Sequence, residues 1–106
     1  MTNTGLPASA VAKICGVFQD YPLINRVILY GSRAMGTFRP GSDIDLCIEG
    51  EALGLTEMLA IETRIDDLLL PWKVDLSLLQ TIDNEALKDH IRRVGVNFYQ
   101  AKSGEA

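Results

Sequence analysis

Histidine is almost absent from this chain, and cysteine nearly so. The single histidine, His90, excludes a multi-histidine metal site. The two cysteines, Cys15 and Cys47, form no C-x-x-C pair, so neither a disulfide scaffold nor a cysteine–zinc site is expected. Basic residues are outnumbered, ten against fourteen acidic, for a net charge of −4. A domain that held nucleic acid by neutralising phosphates would carry a basic excess, so nucleic acid is not expected as a direct ligand. Apolar runs such as residues 27–30 and 68–72 fall far short of the ~20 residues of a membrane span. The first residues show no charged-then-apolar leader, which makes the cytoplasm the expected compartment. Repeats, low-complexity tracts and charge blocks are also lacking. What is present is ordinary for a folded domain: 106 residues, 47% hydrophobic and 23% charged, expected to form one domain over 1–106.

The pattern along the chain alternates helix and strand. A first helix is predicted from Pro7 to Gln19, with Val11, Ile14, Cys15 and Phe18 on its apolar face. Arg26 to Tyr30 reads as a buried strand that Gly31-Ser32 stops abruptly, with a short helix over Arg33 to Met35. Gly36, Pro40 and Gly41 mark a loop before a second strand, Asp43 to Glu49. A helix follows from Thr56, its expected cap, to Leu69, buried through Met58, Ile61, Ile65 and Leu68. Lys73 to Leu79 is the third strand. Asp83 is expected to cap a last helix that buries Leu87, Ile91 and Val94 and stops at Gly95, with a short edge strand over Val96 to Tyr99. The fold class is therefore α/β or α+β, with one small sheet.

The second strand carries the chemical signal. Strand side chains alternate faces, so Asp43 and Asp45 point one way while Ile44, Leu46 and Ile48 point the other. Two like charges ~5 Å apart at an effective dielectric of about 20 cost about 3 kcal/mol. Asp75 makes the same exception between Val74 and Leu76. If the two strands are neighbours, three carboxylates meet on one face, and a divalent cation with a preference for hard oxygen donors, magnesium above all, would offset their repulsion. An Asp-x-Asp pair also describes the solvated face of an amphipathic sheet. The segment just upstream favours the first reading. Gly31 permits close approach of a ligand to the backbone, Ser32 offers a hydroxyl, and the neighbouring amides form an anion seat beside Arg33 and Arg39.

Residues 31–46, GSRAMGTFRPGSDIDL, resemble the signature of the DNA polymerase β-like nucleotidyltransferase superfamily, and LPWKVDL at 70–76 resembles the segment bearing its third carboxylate. The resemblance runs from about Tyr30 to Tyr99 and is closest to the minimal nucleotidyltransferases paired with HEPN-type helical proteins. It implies a small mixed sheet flanked by helices, as in the palm of polymerase β. It further implies two Mg²⁺ ions and transfer of a nucleoside monophosphate, AMP from ATP, to a hydroxyl. By position, Asp43, Asp45 and Asp75 would be the catalytic metal ligands, and Gly31, Ser32 and Arg33 would hold the triphosphate. Met35 stands where many relatives carry a basic residue.

The length leaves no separate acceptor domain, so the resemblance implies that a HEPN-type partner supplies the acceptor, a tyrosine in the toxin–antitoxin version of the pairing. Two other readings compete with this one: a non-catalytic nucleotide-binding module that caps a helical protein, and a transferase acting on a small-molecule hydroxyl. Trp72 is expected to pack at a helix–strand corner. His90 is expected on the surface or in packing, near Arg92 and Arg93, which suit a helix C-terminus. The Phe98-Tyr99 edge leaves homodimerisation open.

Overall fold

The computed structural model describes residues 4–101. Four strands form one mixed sheet in the order β3-β2-β1-β4: β1 (Arg26–Tyr30), β2 (Ile44–Glu49), β3 (Val74–Leu78) and β4 (Val96–Gln100). β1 pairs antiparallel with both β2 and β4, while β2 and β3 run parallel. A parallel pair needs a crossover. Helix α3 (Leu55–Asp66) supplies it. The expected α+β class, a small mixed sheet with helices around it, is what the chain adopts.

The two faces of the sheet differ. Val27, Leu29, Ile44, Leu46, Ile48 and Leu78 point to the main core, closed by α3 through Met58, Ile61 and Ile65 and by helix α1 (Ala8–Phe18) through Ile14, Val17 and Phe18. The opposite face carries Tyr30 and Cys47, and helix α4 (Glu85–Val94) covers it with Ile91. Cys47 is fully buried there, and burial pushes its thiol up to about 11. Both cysteines are free, as expected. Among the described residues no helix is long and apolar enough to cross a membrane.

The predicted elements form, with local differences that have physical causes. α1 buries Ala10, Ile14, Val17 and Phe18, while Val11 and Cys15 are only half-buried. Phe18 packs against Phe98 and Tyr99 on β4, at ring distances of 6.5 and 5.7 Å. α3 starts before Thr56: Glu57 reaches back and accepts from the Gly54 N–H at 2.9 Å. It also ends at Asp66, three residues short of Leu69. Leu69 takes φ 55, a left-handed turn that redirects the chain toward β3. β3 gives way at Leu79 to a single 3-10 turn, Leu79–Thr81. Asn84 caps α4, its side chain accepting from the Leu87 N–H at 3.0 Å, in place of the expected Asp83.

Candidate active site

β1 ends at Tyr30 and the chain turns at Gly31 into the one-turn helix α2 (Ser32–Met35). Gly31 sits at φ 76, ψ −158, a conformation that only glycine holds without strain. A Cβ at Gly31 would also overlap Asp45 Oδ2. The turn and the carboxylate of β2 are therefore packed against each other, and glycine is what lets them close.

Sheet pairing aligns the acidic residues. Asp45 stands opposite Tyr30 on one side and opposite Asp75 on the other. Paired residues share a face, so Tyr30, Asp45 and Asp75 project together on the face that α4 partly covers. Asp43 lies one residue before β2, which begins at Ile44 rather than at Asp43 as predicted. The Asp45 carboxyl is pushed above its ordinary range, first by burial, then by the charges of Asp75 and Asp43; His90 and Lys73 act in the opposite direction. Asp43 and Asp75 are exposed.

The donor set fits a hard divalent cation, since it offers carboxylate oxygens and its members repel one another without a counter-charge. Among the described residues, however, no group of three or more histidine, cysteine, aspartate and glutamate side chains stands ready to hold a metal ion. Backbone register thus sets Asp45 level with Asp75, while Asp43 lies just before the strand, and the three do not form a closed ligand set.

Arg33 does not join this group. It is 1% exposed, and its guanidinium donates to the carbonyls of Thr4 at 2.8 Å, Pro40 at 3.2 Å and Ser42 at 3.0 and 3.1 Å. It also lies over the rings of Phe38 and Trp72, at 5.1 and 5.7 Å. Trp72 donates its indole N–H to the Pro40 carbonyl at 3.1 Å, which agrees with a packing role at a corner. The expected phosphate contact of Arg33 is replaced by a structural one: the arginine braces the loop that delivers Asp43. Burial lowers its pKa. Arg33→Met strips the donors from three carbonyls, and a loss of about 3 kcal/mol is expected, or a fall in melting temperature of roughly 15 °C for a chain of this size. Thermal unfolding followed by circular dichroism checks this, and a melting temperature equal to wild type would remove the bracing role.

Sequence reasoning gave His90 a surface or packing place and Tyr30 no role beyond its strand. His90 Nε2 accepts a hydrogen bond from the Gly31 N–H at 3.3 Å, and its ring meets Tyr30 edge-on at 6.1 Å. Tyr30 is buried, with its hydroxyl 3.5 Å from Ser77 Oγ. The one local signal for His90 is its place next to Ile91, the buried residue of α4. The rest of its role depends on where α4 crosses the sheet.

A cavity of 510 Å³ lies beside α4, between Arg26, Ile28, Leu79, Ile91 and Val96. Its cations are already matched, Arg26 with Glu49, Lys88 with Glu85 and Arg92 with Asp89. A smaller hollow of 210 Å³ runs along β3 and includes Lys73 and Asp75. The acidic face beside the glycine turn lies outside the larger cavity.

Comparison with known proteins agrees with this placement of the fold. Residues 12–103 match the family described as polymerase beta, nucleotidyltransferase. No curated protein matches the chain. A toxin–antitoxin complex crystallised with AMP-PNP contains a chain 22% identical, with a TM-score of 0.69 over 87% of this chain and 74% of that one. A chain of the MntA–HepT toxin–antitoxin complex is 18% identical, with a TM-score of 0.65 over 91% and 74%. A complex of tri-AMPylated Shewanella oneidensis HEPN toxin with MNT antitoxin gives 19% identity and a TM-score of 0.65 over 89% and 72%. At such identities the solved structures speak for a shared fold.

Proposed function

The chain belongs to the polymerase beta nucleotidyltransferase family, and from that premise we propose that it moves AMP from ATP onto a tyrosine hydroxyl of a HEPN-type helical partner. The observation that carries this reading is the pairing of Asp45 with Asp75 on one sheet face, pressed against the Gly31 turn. The fold neighbours add support for the partner: one is a complex whose HEPN toxin is tri-AMPylated beside an MNT antitoxin, and another was crystallised with AMP-PNP.

In this reading Asp43, Asp45 and Asp75 would hold two magnesium ions, and Gly31 and Ser32 would seat the triphosphate. What bound magnesium supplies is positive charge against the phosphates and a lowered pKa for the attacking hydroxyl. Asp75, exposed at the edge of the sheet, takes or orients the proton that the hydroxyl loses. The tyrosine oxygen bonds to the α-phosphorus, the bond from that phosphorus to the bridging oxygen of pyrophosphate breaks, and pyrophosphate leaves. The protein's own contribution is to position charge, as in other phosphoryl transfers.

The test is to co-purify the chain with its natural partner and measure the partner's intact mass with and without Mg·ATP. A gain of one or more AMP groups on tyrosine is expected. A partner that stays unmodified and fully active as a nuclease with this chain and ATP present would overturn the reading. Calorimetric binding of Mg·ATP without turnover would point instead to a nucleotide-binding module.

A further inference from the structure

We infer that His90 is a positioning residue that pins the Gly31 amide and so sets the nucleotide seat against the carboxylates; this rests on the function proposed above. Glycine at a strand-to-helix turn has the widest choice of backbone conformations of any residue, and left alone the turn would sample several. Three contacts narrow that choice. Gly31 N–H donates to His90 Nε2 at 3.3 Å. The His90 ring is held edge-on to Tyr30, the preceding residue, at 6.1 Å and 82°. The Gly31 Cα itself lies against Asp45. His90 is in turn anchored by its neighbour Ile91, buried between α4 and the sheet. The imidazole thus ties α4 to a turn 59 residues away in the chain.

Acceptor and ring can be separated by substitution. His90→Phe keeps a ring against Tyr30 and removes the acceptor. His90→Gln removes the ring and leaves an amide oxygen at about the position of Nε2. If the hydrogen bond positions the turn, His90→Phe raises the KM for Mg·ATP roughly five- to tenfold with kcat within about twofold of wild type, and His90→Gln restores KM to within about twofold. Hydrogen exchange at the Gly31 amide, read by NMR without nucleotide, loses about tenfold protection in His90→Phe and regains it in His90→Gln.

Wild-type exchange and KM in His90→Phe would overturn the inference, because packing alone would then suffice. A defect in His90→Phe that His90→Gln does not rescue would overturn it too. A lower KM in His90→Phe would overturn it as well, because the histidine would then compete with nucleotide for the amide. Should the wild-type chain neither bind Mg·ATP nor transfer AMP, the proposed function fails and with it the seat that His90 is inferred to set; the exchange data then report only whether the Gly31 pin exists, so the two failures remain distinguishable.

Discussion

Asp45→Asn is expected to abolish transfer of label from α-labelled ATP, by at least about a thousandfold, or about 4 kcal/mol in the barrier. Asparagine has the same shape but no charge, and an amide oxygen is a poor substitute for a carboxylate at a hard cation. The fold should survive, because the pairing of β2 with β1 and β3 is made by the backbone. The same substitution should also stabilise the metal-free chain at neutral pH. Burial and the charges of Asp75 and Asp43 raise the folded pKa of Asp45 above its unfolded value. For a carboxyl group shifted in that direction the folded state binds the proton more tightly, so ionisation costs stability. The cost is complete above the folded pKa and disappears below the unfolded one. Asp45→Asn should therefore melt higher than wild type at neutral pH with a chelator present, and the two should converge in acid. Asp45 is only half-buried, so solvent screening keeps the gain modest. Transfer at the wild-type rate by this variant would remove the carboxylate from the mechanism.

Gly31→Ala is expected to damage stability and activity together. The backbone there is at φ 76, ψ −158, and holding a non-glycine residue in such a region costs about 1–3 kcal/mol before any collision. The added methyl group would also meet Asp45 Oδ2, so relief of the clash must move the carboxylate or the turn. A loss of at least about a hundredfold in transfer should accompany the loss of stability. Gly36 provides the control. It too has a positive φ, 81, but an added Cβ would meet nothing within 4 Å. Gly36→Ala should cost only about 1–2 kcal/mol of backbone strain and leave transfer close to wild type. Urea unfolding and labelled transfer on both variants measure the contrast, and equal behaviour of the two would show that the contact between Gly31 and Asp45 has no functional weight.

Much of this site can be read from a single strand. The alternation of side chains is a local property with a period of two residues, so Asp43 and Asp45 are set apart from Ile44, Leu46 and Ile48 before any partner strand is known. The halt of RVILY at Gly31-Ser32 is equally local, and the structure ends β1 at Tyr30 and starts α2 at Ser32. Arg33 shows where such reasoning stops. A basic residue next to an anion seat suggests a phosphate contact, but its direction is decided by the loop that folds over it, with carbonyls from Thr4, Pro40 and Ser42 closing around the guanidinium. The contact of the Phe18 ring with a strand eighty residues away is likewise beyond local reasoning.

From residue order alone follow the sequence of helices and strands, the acidic face of β2 and the glycine turn beside it. These depend on propensities and periods that span only a few neighbours. Which strand lies next to β2, that Asp75 stands level with Asp45, and that His90 reaches the Gly31 amide were decided by tertiary structure. Each of these depends on contacts between segments far apart in the chain, and such contacts are chosen by how the apolar faces of the whole domain pack together.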